Sequence, residues 1–147
     1  MRTIWILIAA IFPLAAGLAT APQARAEDKD KDMRLYEMRT YFAKPDKLEA
    51  LHARFRDHTC KLFEKHGMTN IGYWTPIKGQ KGAGNTLVYM LAHKSVDAAK
   101  ASFDAFRKDP DWIAARKASE EQAGGSLTVK DGVKSTFMKA TDYSDLK

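Results

Sequence analysis

Glu37 and Arg39 stand two residues apart in the run RLYEMRTYF, residues 34–42, which alternates in polarity and is rich in β-formers. In an extended strand that spacing puts an acid and a base on one face, within reach of each other. Such a pair could orient a polar ligand group, or hold a substrate carboxylate beside a tuned acid. It could equally neutralise itself in a partly buried interior without chemistry. His66, in FEKHGMTN, is the other candidate. As a proton acceptor it needs a shifted pKa and a substrate within hydrogen-bond reach. As a structural residue it needs only its position at a helix end, where the dipole favours an imidazolium. No second histidine or carboxylate lies at metal-ligand spacing from His66, and His52 and His58 fall on other helix faces, so no metal is expected. There is no G-x-S-x-G and no basic partner near Cys60. The glycine-rich KGQKGAGN precedes a strand, not a helix, and is no nucleotide cradle. No cofactor is expected.

The elements that must carry these residues follow from periodicity. After the strand at 34–42, Lys44-Pro45-Asp46 is expected to open a helix, with proline where a missing N–H costs least. Leu48, Leu51, Phe55, Thr59, Leu62, Phe63 and His66 then share one helical face, and Gly67 stops it. Strands are expected at 70–75, closed by Pro76, and at 85–93. Ser95 caps a helix carrying Val96, Ala99, Phe103 and Phe106; Asp109-Pro110 starts another, with Trp112 and Ala115, ending at Gly124-Gly125. A last strand is expected at 133–140. The order is βαββαβ with one extra helix, an α+β, ferredoxin-like plan with helices on one sheet face. The other face would be apolar and open, and a second copy of the chain is the common cover.

Alternation also assigns faces. Thr86, Val88, Met90 and Ala92 form a small aliphatic set suited to packing under helices. Glu37, Arg39, Tyr41, Asn85 and Tyr89 are too polar for a plain core, and are expected on the open face, lining a cavity between two paired sheets. Tyr73 and Trp74 point to opposite sides, so one of them joins that lining; Gly72 beside them admits a close neighbour.

The chain's first residues have another purpose. Met1-Arg2-Thr3 is a short basic start, Ile4 to Ala21 carries no charge, and Ala24-Arg25-Ala26 ends the stretch with small residues. This is a secretory leader over residues 1–26, with cleavage expected before Glu27 and export to the periplasm as the destination. Residues 27–33 are almost all charged and read as a solvated spacer, leaving 34–147 as one domain. Arg2 and Arg25 leave with the leader, taking the formal charge from +6 to +4. The remaining lysines are scattered among acids, which excludes a nucleic-acid footprint. No second hydrophobic run follows, so no membrane span is expected after cleavage. A single cysteine leaves the core without an internal disulfide.

YEMRTYFAKPDK, EKHGMTNIGYWTP, the helix start DPDW and the closing TDYS, in this order and spacing, resemble a NIPSNAP domain over nearly the whole chain after the leader. The resemblance implies a dimeric α+β barrel. It implies no agreed reaction: eukaryotic members are linked to vesicle traffic and mitochondrial damage signalling through protein contacts, and related barrels include cofactor-free monooxygenases. The secretory leader departs from mitochondrial members. The function expected is binding of a small, mainly apolar molecule in a homodimer, at Glu37, Arg39, Tyr41, Trp74, Asn85 and Tyr89. The alternatives are a cofactor-independent monooxygenase or isomerase using His66 or Glu37 as base, and a protein-interaction module.

Overall fold

The computed structural model describes residues 34–146; the expected leader and spacer lie outside the described residues. Strand β1 (Leu35–Ala43) is followed by helix α1 (Leu48–Arg54), a π-helical turn (Phe55–Thr59) and α2 (Cys60–Lys65). Then come β2 (Thr69–Trp74), β3 (Thr86–His93), α3 (Val96–Lys108), α4 (Pro110–Gln122) and β4 (Thr128–Lys139). The four strands form one antiparallel sheet in the order β2-β3-β1-β4, the ferredoxin-like arrangement. All helices cover one face.

The first helix differs from its expected form. Pro45 and Asp46 make a turn, with Asp46 at φ 59°, and the helix starts only at Leu48. It is then interrupted by the π turn. Leu51, Phe55, Thr59 and Phe63 are spaced by fours, and each such step overshoots a 3.6-residue turn by about 40°. The wider π turn absorbs that drift, so all four are buried. The N–H of Cys60 donates to the Phe55 carbonyl, and the Thr59 hydroxyl donates to the Arg54 carbonyl at 3.1 Å. Thus the displaced carbonyls keep partners.

β4 begins five residues earlier than expected, because Asp131-Gly132 is a bulge rather than a turn. Asp131 has φ 55°, and the β1–β4 register shifts between Tyr41 and Ala43. A Cβ at Gly132 would lie 3.0 Å from the Phe42 carbonyl oxygen, so only glycine fits there.

The sheet is inside out relative to the expected faces. Tyr89, Leu87 and Leu91 pack with Leu51, Phe55, Phe63, Phe103 and Phe106 beneath the helices. Glu37, Arg39 and Tyr41 share that covered face, since Glu37 bonds His93 of β3 and Tyr41 meets Phe55 edge-on at 5.6 Å. Thr86, Val88, Met90 and Ala92 are on the open face, and so is Trp74, paired with Val88. Asn85 is exposed just outside β3. The expectation failed because polarity was taken as a sign of a wet face. Here Glu37 draws Arg39, His93 and Ser135 onto one carboxylate, and large aromatic rings from the helices need the aromatic face of the sheet. Trp74 folds its ring back over Gly72, where a Cβ would sit 2.7 Å from the indole.

Candidate functional site

The covered face brings together a buried polar cluster. The Glu37 carboxylate accepts from Arg39 at 2.6 Å and from the Ser135 hydroxyl at 2.5 Å on one oxygen, and meets His93 Nε2 at 3.0 Å on the other. Burial pushes the Glu37 carboxyl up, but the hydrogen bonds from His93 and Ser135 and the charge of Arg39 together outweigh it, and the net shift is downward. Glu37 is therefore held ionised, a weak base rather than a tuned one. The Arg39 guanidinium lies 4.4 Å over the Phe103 ring, and its own pKa is raised against burial by Tyr89, Tyr41 and Glu37.

A second guanidinium enters from α1. Arg54 is buried, with its charge centre 5.3 Å over the Trp112 ring of α4. Desolvation lowers its pKa in spite of Glu120 and the hydroxyls of Tyr41 and Tyr89. Arg54 lines a cavity of ≈ 400 Å³ between α1 and α4, walled by Ala50, Ala53, Ala115 and Ala118, with Glu49, Asp57 and His58 around it. A larger hollow, ≈ 530 Å³, runs along the other side of α4. Its charges are already paired, Arg107 with Asp104, Arg116 with Glu120 and Lys117 with Glu121, so it offers a ligand little. Among the described residues no group of side chains could hold a metal ion, and no helix is long and apolar enough to cross a membrane.

His66 is at the helix end, as its spacing predicts, and Gly67 follows with φ 76°. Its partner is not the sheet. Nε2 meets Asp109 Oδ2 at 2.6 Å, while Asp109 Oδ1 accepts the Asp111 amide and so caps α4. Lys65 adds a 2.9 Å ion pair to the same carboxylate. The ring is committed to joining two helices and lies apart from the Glu37 cluster.

A family model for NIPSNAP matches residues 36–145. The chain belongs to the NIPSNAP family. Solved NIPSNAP structures share its fold. One, a NIPSNAP family protein of unknown function from Agrobacterium tumefaciens, is 21% identical with a TM-score of 0.64, over 78% of this chain and 94% of that one. A NIPSNAP-like domain protein from Burkholderia xenovorans is 14% identical with a TM-score of 0.62, over 76% and 88%. No curated protein matches the chain.

Of the six binding residues expected from the NIPSNAP sequence, Glu37, Arg39, Tyr41 and Tyr89 are gathered under the helices, while Trp74 and Asn85 are elsewhere. Arg54, His93 and Ser135 were missed. Arg54 had a signal: it follows Leu51 by three, between Ala53 and the buried Phe55. His93 shares the alternation of Tyr89, which gives its face but not its partner, and Ser135 had no signal, since the approach of both to Glu37 depends on strand register.

Asp109 supplies a pH test. Lys65, His66 and the Asp111 amide hold its carboxyl well below the usual carboxylate range. A depressed carboxylate adds stability that is complete above its unfolded pKa, about 3.9, and is lost as pH falls through the folded value. Asp109→Asn keeps a capping side chain but not the charge. Wild type is expected to melt above this variant near neutrality, with the difference shrinking below about pH 4. Melting temperatures across pH check this; a constant difference would mean the charge contributes nothing.

Proposed function

We propose that this NIPSNAP protein is exported and homodimeric, and binds a small, mainly apolar molecule in the cavity between α1 and α4. The observation that carries the reading is the cavity itself: ≈ 400 Å³, lined by five alanines and six polar side chains, Arg54 among them. A hollow of this size, part alanine and part polar, suits a compact organic molecule with an apolar body and a polar end. Two packed helices faced with alanines could approach more closely than this, so the gap is not forced by bulky side chains. The site is thereby moved from between two sheets to the groove between α1 and α4, which none of the six expected residues lines. The open sheet face supports the dimer: Met38 is 36% and Trp74 53% exposed, with Val88 and Met90 half-buried beside them. The leader motif supports export.

Catalysis has less support. Glu37 is held ionised by three donors, and the His66 ring is taken by Asp109.

Native mass spectrometry of protein recovered from the exported fraction of its own host tests the reading. A dimer of the chain from Glu27 is expected, carrying a small molecule that Ala53→Phe displaces. A monomer would overturn the dimer; a full-length chain retaining residues 1–26 would overturn cleavage. Bound mass indifferent to Ala53→Phe, or none in wild type, would overturn the cavity.

A further inference from the structure

Arg54 brings more hydrogen-bonding capacity to the cavity than the protein uses. Its side chain is 5% exposed, and Nε and Nη1 are buried without a hydrogen-bond partner. The nearest acid, Glu120, has its oxygen 3.7 Å from Nη1, too far for a hydrogen bond, and that oxygen already accepts from Arg116 at 3.2 Å. Deeper in, the Tyr89 hydroxyl and Arg39 Nε are also buried and unpartnered. Buried polar groups in folded proteins are almost always satisfied, and one that is not requires an explanation. Nitrogen atoms of arginine can only donate, and a tyrosine hydroxyl can donate as well. What this interior lacks is an acceptor.

We infer that the molecule bound here carries a carboxylate, toward which the Arg54 guanidinium turns its sealed, unpartnered nitrogens, with its apolar body along the alanines. This rests on the binding reading above and names the chemical class. Guanidinium is matched to planar oxyanions, and a charge-assisted bond is about twice as strong as a neutral one. A single negative charge fits better than a phosphate dianion, because Glu49 and Asp57 also line the cavity and would repel a second charge. The Trp112 ring, 5.3 Å from the Arg54 charge centre, backs the guanidinium from outside the cavity.

The test compares 2-naphthoate with 2-naphthamide, its neutral counterpart, by titration calorimetry on the dimeric wild-type protein. A hydrogen bond to a charged group is worth about 1.5–3 kcal/mol, so the acid is expected to bind at least ~10-fold more tightly than the amide. Arg54→Met is expected to abolish that preference while the amide still binds. Arg54→Lys, which keeps the charge without the planar fork, is expected to retain only part of it and serves if the methionine variant does not fold. Glu120→Gln removes the one nearby competitor and is expected to strengthen the preference. Equal binding of acid and amide to wild type would overturn the carboxylate and leave the cavity reading standing. Binding of neither compound would overturn the cavity reading too. Acid binding that survives Ala53→Phe would locate the compound elsewhere and overturn the inference.

Discussion

Glu37→Leu is expected to destabilise the protein by about 3 kcal/mol or more, the usual cost of removing one partner from a buried ion pair. The carboxylate is 2% exposed and serves three donors; its loss strands Arg39 and His93, while exposed Ser135 can turn to solvent. The His93 side chain is as buried as that of Glu37, 1% against 2% exposed, so solvent does not reach it to replace the lost partner. The double change Glu37→Leu with Arg39→Leu should cost less than Glu37→Leu alone, because no unpaired guanidinium remains. Urea unfolding of the two variants and wild type measures this. The direction with pH is also fixed. Since the Glu37 pKa is lowered in the folded state, its contribution is present above its unfolded value, about 4.3, and fades as pH falls below it. A single variant as stable as wild type would show that the cluster is not held together by its charges.

Phe63→Ala carries the other large effect, expected at about 4 kcal/mol. Phe63 is 1% exposed and is ringed by aromatic neighbours: Phe106 at 4.9 Å, Phe103 and Tyr89 at 5.8 Å, and Phe55 at 6.2 Å between centroids. These rings come from the π turn, α3 and β3, so truncation opens a void where the layers meet. Rings lock together edge to face and cannot easily collapse into the gap. Phe63→Leu, which leaves most of the volume filled, should lose roughly half as much or less. Thermal unfolding of both decides it. If alanine cost no more than leucine, the site would be collapsing freely and the core would be softer than its packing implies. A domain of this size has about 5–15 kcal/mol of stability in all, so Phe63→Ala leaves little margin.

Element order, helix faces and the ferredoxin-like plan were legible because long apolar periodicities carry them. The stripe from Leu48 to Phe63, the Ser95 and Asp109 caps, and Gly67 all mark real features. The side of the sheet that the helices cover was not legible from polarity. Glu37 and Arg39 resemble surface residues until their partners are known, and those partners, His93 and Ser135, lie 56 and 98 positions away in the chain. Register decides such contacts, and one chain's alternation does not contain register. Arg54 was overlooked for a related reason: a charged residue on the edge of a buried stripe passes for a surface residue whose stem lies along the core.

The π turn at Phe55–Thr59 sets the phase between the two halves of the first helix. Rewinding the same residues as a plain α-helix would gain regular bonding but turn everything downstream by about 100° about the axis, one residue's share of a turn. Phe63 would swing off the aromatic core, and His66 would lose its aim at Asp109. Backbone regularity and tertiary fit thus pull in opposite directions over five residues. Removing one exposed residue there would reconcile them, closing the helix with Phe63 still facing the core. A single-residue deletion, ordinarily harmful inside a helix, would here leave the fit of both halves intact.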